Sequence, residues 1–68
     1  MNNEKNNVPI YHKLLLTINE TIMYSNIGRD KLLNITSDPN CSFVVWYGTH
    51  RLINRQKFEK FINNITVL

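Results

Sequence analysis

The sequence predicts a small α+β domain: a short N-terminal strand, two helices, a two-stranded ribbon and a closing helix. Three observations carry that expectation. Thr17 and Glu20 have the spacing of a capping box, in which a hydroxyl and a carboxylate each satisfy an orphan amide at a helix start. The run 43–47, FVVWY, is wholly β-branched or aromatic and meets Gly48, which is the pattern of a strand entering a turn. Phe58, Phe61, Ile62 and Ile65 recur at i, i+3, i+4 and i+7, one apolar stripe of a helix.

The remaining elements follow in order. Residues 1–7 are polar and rich in asparagine, so they read as a loose arm with nothing to bury, ahead of a domain spanning 8–68. Pro9 disfavours helix at Val8, and 8–11 therefore reads as extended. The run Leu14, Leu15, Leu16 leads into a first helix from Ile18 to about Ser25, with Ile18, Ile22 and Tyr24 or Ser25 toward the core. Asn26, Ile27 and Gly28 break it, with Gly28 either taking an unusual backbone conformation or capping the next helix. That helix runs from Arg29 to about Thr36. Ile27 and Leu32 form a hydrophobic staple at its entry, with Leu32 and Ile35 inward and Arg29, Asp30, Lys31 and Asn34 outward. Turn chemistry at 37–40 (SDPN) stops it. The ribbon turns at Gly48, Thr49 and His50 and returns over 51–53. Asn54 then caps the last helix, with Ile53 and Phe58 as a second staple. Along the first ribbon strand Val44 and Trp46 share one face, and Phe43, Val45 and Tyr47 the other. Trp46 is expected to be core. Leu33 is expected to pack.

Composition narrows the function. A chain of 68 residues is one domain, and a domain this small buries only about 60% of its unfolded surface, which leaves little room for a cleft. Cys41 is the sole cysteine, so no intrachain disulfide can form, as expected for a reducing compartment. Two histidines and one cysteine, widely spaced, supply no zinc site, and the two glycines form no phosphate loop. No cofactor, metal or catalytic residue is expected. No apolar run reaches the ~18–20 residues of a membrane span, and the N-terminus lacks the apolar stretch of a signal peptide. A cytoplasmic, nucleoid-associated protein is expected. The net charge of +3 lies entirely in the second half, since 1–27 balance and 28–60 carry six basic residues against three acidic. That asymmetry suits a polyanion. Two helices with a glycine-containing turn, followed at once by a strand ribbon with a basic tip, form a winged helix-turn-helix.

The stretches LLLTINETIMYSNIGRDKLLNI and FVVWYGTHRLINRQKFEKFINN resemble the small excisionases of conjugative transposons and related integrative elements, over nearly all of 8–66. The resemblance rests on Leu16-Thr17-Ile18, on Asn26-Ile27-Gly28, on Lys31-Leu32, and on the ribbon leading into 55–60 (RQKFEK). It implies a winged-helix fold without enzymatic activity. It also implies a protein that binds the ends of an integrated element, bends the DNA and biases a tyrosine-recombinase integrase towards excision. Carried over by position, Arg29, Lys31 and Asn34 lie on a recognition helix in the major groove. Thr49, His50 and Arg51 form the wing at the adjacent minor groove or backbone. Thr17 and Asn19 offer backbone amides to a phosphate, and Arg55 and Lys57, with Arg51, neutralise backbone charge. The chain departs from the family's pattern at Leu33 and Asn34, where basic residues are common.

Neutralising about five phosphates implies a log–log salt slope of roughly −4 to −5. A single copy of this size covers only ~600–1,000 Å² of protein surface on DNA, so several adjacent sites filled cooperatively are expected, with the integrase as a further partner. Lys31 and His50 should then lie on one side of the molecule. Two other readings stand beside this one: a small winged-helix transcriptional regulator of a mobile element, and a protein-interaction module using the same helical face.

Overall fold

In the computed structural model, which describes residues 8–68, three helices form over Ile18–Ser25 (α1), Arg29–Thr36 (α2) and Arg55–Asn63 (α3). The expected arm at 1–7 lies outside the described residues. α1 starts through its capping box: the Thr17 hydroxyl accepts from the Glu20 amide, and the Glu20 carboxylate accepts from the Thr17 amide, each at 3.0 Å. α3 starts at Asn54, whose side-chain oxygen accepts from the Lys57 amide at 3.0 Å. Gly28 caps α2 in extended backbone at φ −67°, without a side-chain bond. The left-handed residue between α1 and α2 is Asn26, at φ 64°. Asparagine visits that region more readily than other side chains, and its amide closes α1 on the Ile22 carbonyl at 2.8 Å.

The N-terminal segment departs from its expected extended form. Ile10–His12 make a single 3-10 turn after Pro9, and extended pairing begins only at Leu15–Leu16 (β1). A proline restricts the residue before it but leaves those after it free to turn.

β1 joins Val44–Tyr47 (β2) and His50–Asn54 (β3) in an antiparallel sheet of order β1-β3-β2. Leu16 and Val44 both lie opposite Ile53, Trp46 lies opposite Arg51, and Tyr47 opposite His50. These positions fix the parity, because opposed residues share a face. Ile53 is wholly buried, so Leu16, Val44, Trp46 and Arg51 lie on the helix-facing side. The turn is the two-residue loop Gly48-Thr49, with Gly48 at φ +63°. Positive φ at the first loop position alone matches a type II′ hairpin. His50, expected in the turn, instead opens β3.

One side chain from nearly every element meets in the core: Leu16, Ile18, Leu32, Phe43, Ile53 and Phe58. Both predicted staples close on it. Phe43 packs edge-on to Phe58 with ring centroids 5.2 Å apart, and against Phe61 at 5.0 Å. Thr21 is also fully buried, its hydroxyl donating to the Thr17 carbonyl at 2.8 Å, whereas Tyr24 stays largely outside. Trp46 does not join the core; it is 55% exposed. The residue paired with it across the strands is the charged Arg51. The architecture is that of a small winged helix-turn-helix.

Candidate nucleic-acid interface

The ribbon projects from the domain. Trp46, Tyr47, Gly48, Thr49 and His50 are all exposed, forming a wing with Thr49 in its turn and His50 at the start of β3. Arg51, the third expected wing residue, points inward instead. Its Nη1 donates to the Leu33 carbonyl at 3.3 Å and to the Thr36 hydroxyl at 3.1 Å, and its guanidinium lies 5.0 Å from the Trp46 ring centroid. The parity was the available signal. Arg51 stands two residues from Ile53, so both must face the helices.

On α2, Leu32 and Thr36 are buried and Leu33 is half-buried, which leaves Arg29, Asp30, Lys31 and Asn34 exposed. At about 100° per residue, Arg29 lies on the same side of α2 as Leu33 and Thr36, which hold the wing, one to two turns before them. Asp30 and Asn34 occupy the middle of the exposed face. Lys31 falls on the far flank, about 160° from Leu33. Lys31 therefore lies on the flank of α2 opposite Leu33, whose carbonyl accepts from Arg51 of the wing, and Asp30 lies on the face between.

Arg29 also donates to the Asn19 side-chain oxygen, tying the first turns of α1 and α2 together. That bond brings Asn19 and Arg29, both expected site residues, to one place. Thr17 is adjacent, but its amide already donates to Glu20, so a phosphate there would meet the Asn19 amide instead. Burial pushes the Glu20 carboxyl up. The Lys13 ammonium and the Thr17 amide bonded to it outweigh that and hold it below the usual carboxylate range.

Of the expected backbone contacts, Lys57 is exposed and beside Lys60 around a shallow hollow with Ser42 and Asn64. Arg55 is not free. Its Nε donates to the Lys13 carbonyl at 2.7 Å, its Nη1 pairs with Glu59 at 2.9 Å, and its side chain is 14% exposed. The Tyr24 hydroxyl donates to the same Glu59 oxygen; that bond, joined by Arg55, depresses the Glu59 carboxyl, and the same bond raises the Tyr24 hydroxyl although the nearby Arg55 guanidinium opposes the rise. Arg55 thus fastens α3 to the segment before β1. Among the described residues, Arg29, Lys31, Arg51, Lys57 and Lys60 have no carboxylate at ion-pair distance. No group of three or more His, Cys, Asp or Glu gathers to hold a metal among the described residues. No described helix is long and apolar enough to cross a membrane.

A family model described as "Excisionase from transposon Tn916" matches residues 1–67. A protein of Streptococcus agalactiae serotype V (strain ATCC BAA-611 / 2603 V/R) bearing the same description is 29% identical over 66 residues, covering 96% of this chain and 98% of that protein. No solved structure matches.

Proposed function

Because the chain belongs to the family of the excisionase from transposon Tn916, we propose that it is itself an excisionase: it binds the ends of an integrated mobile element, bends the duplex and directs a tyrosine-recombinase integrase towards excision. Family membership across nearly the whole chain carries the reading, and the exposed face of α2 beside a projecting wing supports it. α2 enters the major groove, where Lys31 and Asn34 reach base edges or phosphate and Arg29 meets the backbone beside Asn19. Lysine and asparagine match the acceptor and donor patterns of guanine and adenine there. Thr49 and His50 reach the neighbouring minor groove, whose negative potential favours a histidine when it is narrow. Lys57 adds backbone neutralisation from α3. Arg55 takes no part, because its Nε and Nη1 are engaged within the domain and its side chain is mostly buried.

The protein acts by shape and carries out no bond chemistry. With about four phosphates neutralised, the log–log salt slope is roughly −3 to −4. Bending a site of ~20–30 base pairs costs of order 1–6 kcal/mol, which the helix and wing contacts must offset. Several copies fill adjacent sites cooperatively, in the cytoplasm where the element's DNA resides. The test is excision in vitro. Integrase and a plasmid carrying the element's ends are incubated with and without this protein, and a circular-permutation gel shift reads the bend. Excision that depends on the protein, with bent DNA, is expected. Promoter binding without any stimulation of excision would instead make it a regulator, and loss of neither activity on reversing Arg29 and Lys31 to Glu would make it a protein-interaction module.

A further inference from the structure

We infer that Arg51 is a positioning residue: it clamps the wing at a set angle against α2 and is not itself a DNA ligand. The inference rests on the DNA-bending reading above and adds to it the element that fixes the bend. Among the described residues, the two bonds from Arg51 Nη1 to the Leu33 carbonyl and the Thr36 hydroxyl are the only side-chain hydrogen bonds between the wing and α2. Both acceptors lie in the second half of α2, where the negative end of the helix dipole favours a cation. The guanidinium has a second use. Its central carbon lies over the Trp46 ring, directly across the strand pair, while its Nη1 donates to α2. Wing strand, indole, guanidinium and helix thus form one stack. Among the described residues no carboxylate competes for the charge at ion-pair distance.

Beyond this level the ribbon is exposed to its tip. A free two-stranded ribbon twists readily and is marginally stable by itself, so the direction in which Thr49 and His50 point follows from the last fixed contact. Arg51 is that contact. Lysine cannot replace it, because a point ammonium lacks the plane that stacks and the fork that donates.

The clamp can be opened without orphaning a buried group. The Thr36 hydroxyl also donates to the Leu32 carbonyl at 2.7 Å, and the Leu33 carbonyl also accepts from the Ser37 hydroxyl at 2.7 Å. Arg51→Met, Arg51→Lys and Thr36→Val are therefore compared with wild type. The first readout is emission from Trp46, the single tryptophan, in the DNA-free protein. The second is the bend angle at saturating protein, and the third the salt slope of binding.

The clamp requires all three variants to change Trp46 emission in the free protein, with Arg51→Lys as affected as Arg51→Met. It further requires Thr36→Val, which alters no charge, to reduce the bend and weaken binding about tenfold while leaving the salt slope at its wild-type value. Wild-type emission and bend in Arg51→Lys and Thr36→Val, with the slope lowered by about 1 in Arg51→Met alone, would make Arg51 a phosphate ligand and overturn the inference. If the wild-type protein binds no element DNA, the proposed function fails, and the emission series alone then decides whether the clamp exists.

Discussion

Replacing Gly48 by the two mirror forms of alanine isolates the conformation on which the wing depends. Gly48 sits at φ +63°, and a Cβ built there meets nothing within 4 Å, so the natural form meets no steric obstacle, while the exposed turn leaves the mirror form facing solvent. The difference between them is then chiefly backbone strain. An L-residue in this region costs about 1–2 kcal/mol. The D-residue fits it and, by restricting the unfolded chain, adds about 0.4–1 kcal/mol of stability. For a domain of this size about 1 kcal/mol moves the melting temperature by roughly 4–8 °C. Gly48→Ala with the natural hand should then melt about 4–16 °C below wild type, and the D-form, reachable by chemical synthesis of a short chain, a few degrees above it. Gly28 is the internal control, since it has equal space at φ −67° and L-alanine there carries no positive-φ penalty. Calorimetry of the four proteins makes the comparison. Equal melting temperatures for the two hands at position 48 would refute the II′ hairpin and the wing direction derived from it.

Asp30→Asn should tighten DNA binding at low salt by about 1.4 kcal/mol or less, around tenfold at most, with the gain fading as salt screens it; the same change should lower stability by ~0.3–1 kcal/mol through the α2 dipole. A titrated gel shift and a thermal melt read the two opposite signs. Arg55→Met should cost about 1.5–3 kcal/mol of stability through its charged hydrogen bonds and leave the salt slope unchanged, whereas Lys57→Gln should lower the slope by about 1 with little effect on melting; a reversal of that pattern would return Arg55 to the DNA surface. Glu20 and Glu59 have carboxyls held below their ordinary range. Their contribution is present above the unfolded carboxyl pKa and is lost as pH falls through the lower folded values. Acid unfolding monitored by circular dichroism should therefore be flatter with pH in Glu20→Gln than in wild type.

The local code of this chain is readable without coordinates. Thr17 with Glu20, Asn54 before Lys57, and the spacing of Leu32, Ile53 and Phe58 act over a few residues, so the helix starts, their buried faces and the winged order of elements follow from short-range rules. The exposed tip at Thr49 and His50 follows equally from a glycine after a β-branched run. Pairing is different. Whether His50 turns or pairs, and whether Trp46 packs or stays outside, depends on a register set by β1 against β3 and by a two-residue loop, which no single segment specifies. The side chains of Arg51 and Arg55 show the same limit. In sequence each is a cation in a basic half, and a cation binds phosphate or an internal acceptor with the same atoms. Arg51 reaches a helix 15 to 18 positions earlier and Arg55 a carbonyl 42 positions earlier. Secondary structure and family resemblance were thus written in neighbouring residues, while the division of the cations between holding the domain together and facing a duplex came from contacts distant along the chain, because hydrogen-bond donors are claimed by whichever acceptor folding brings within about 3 Å.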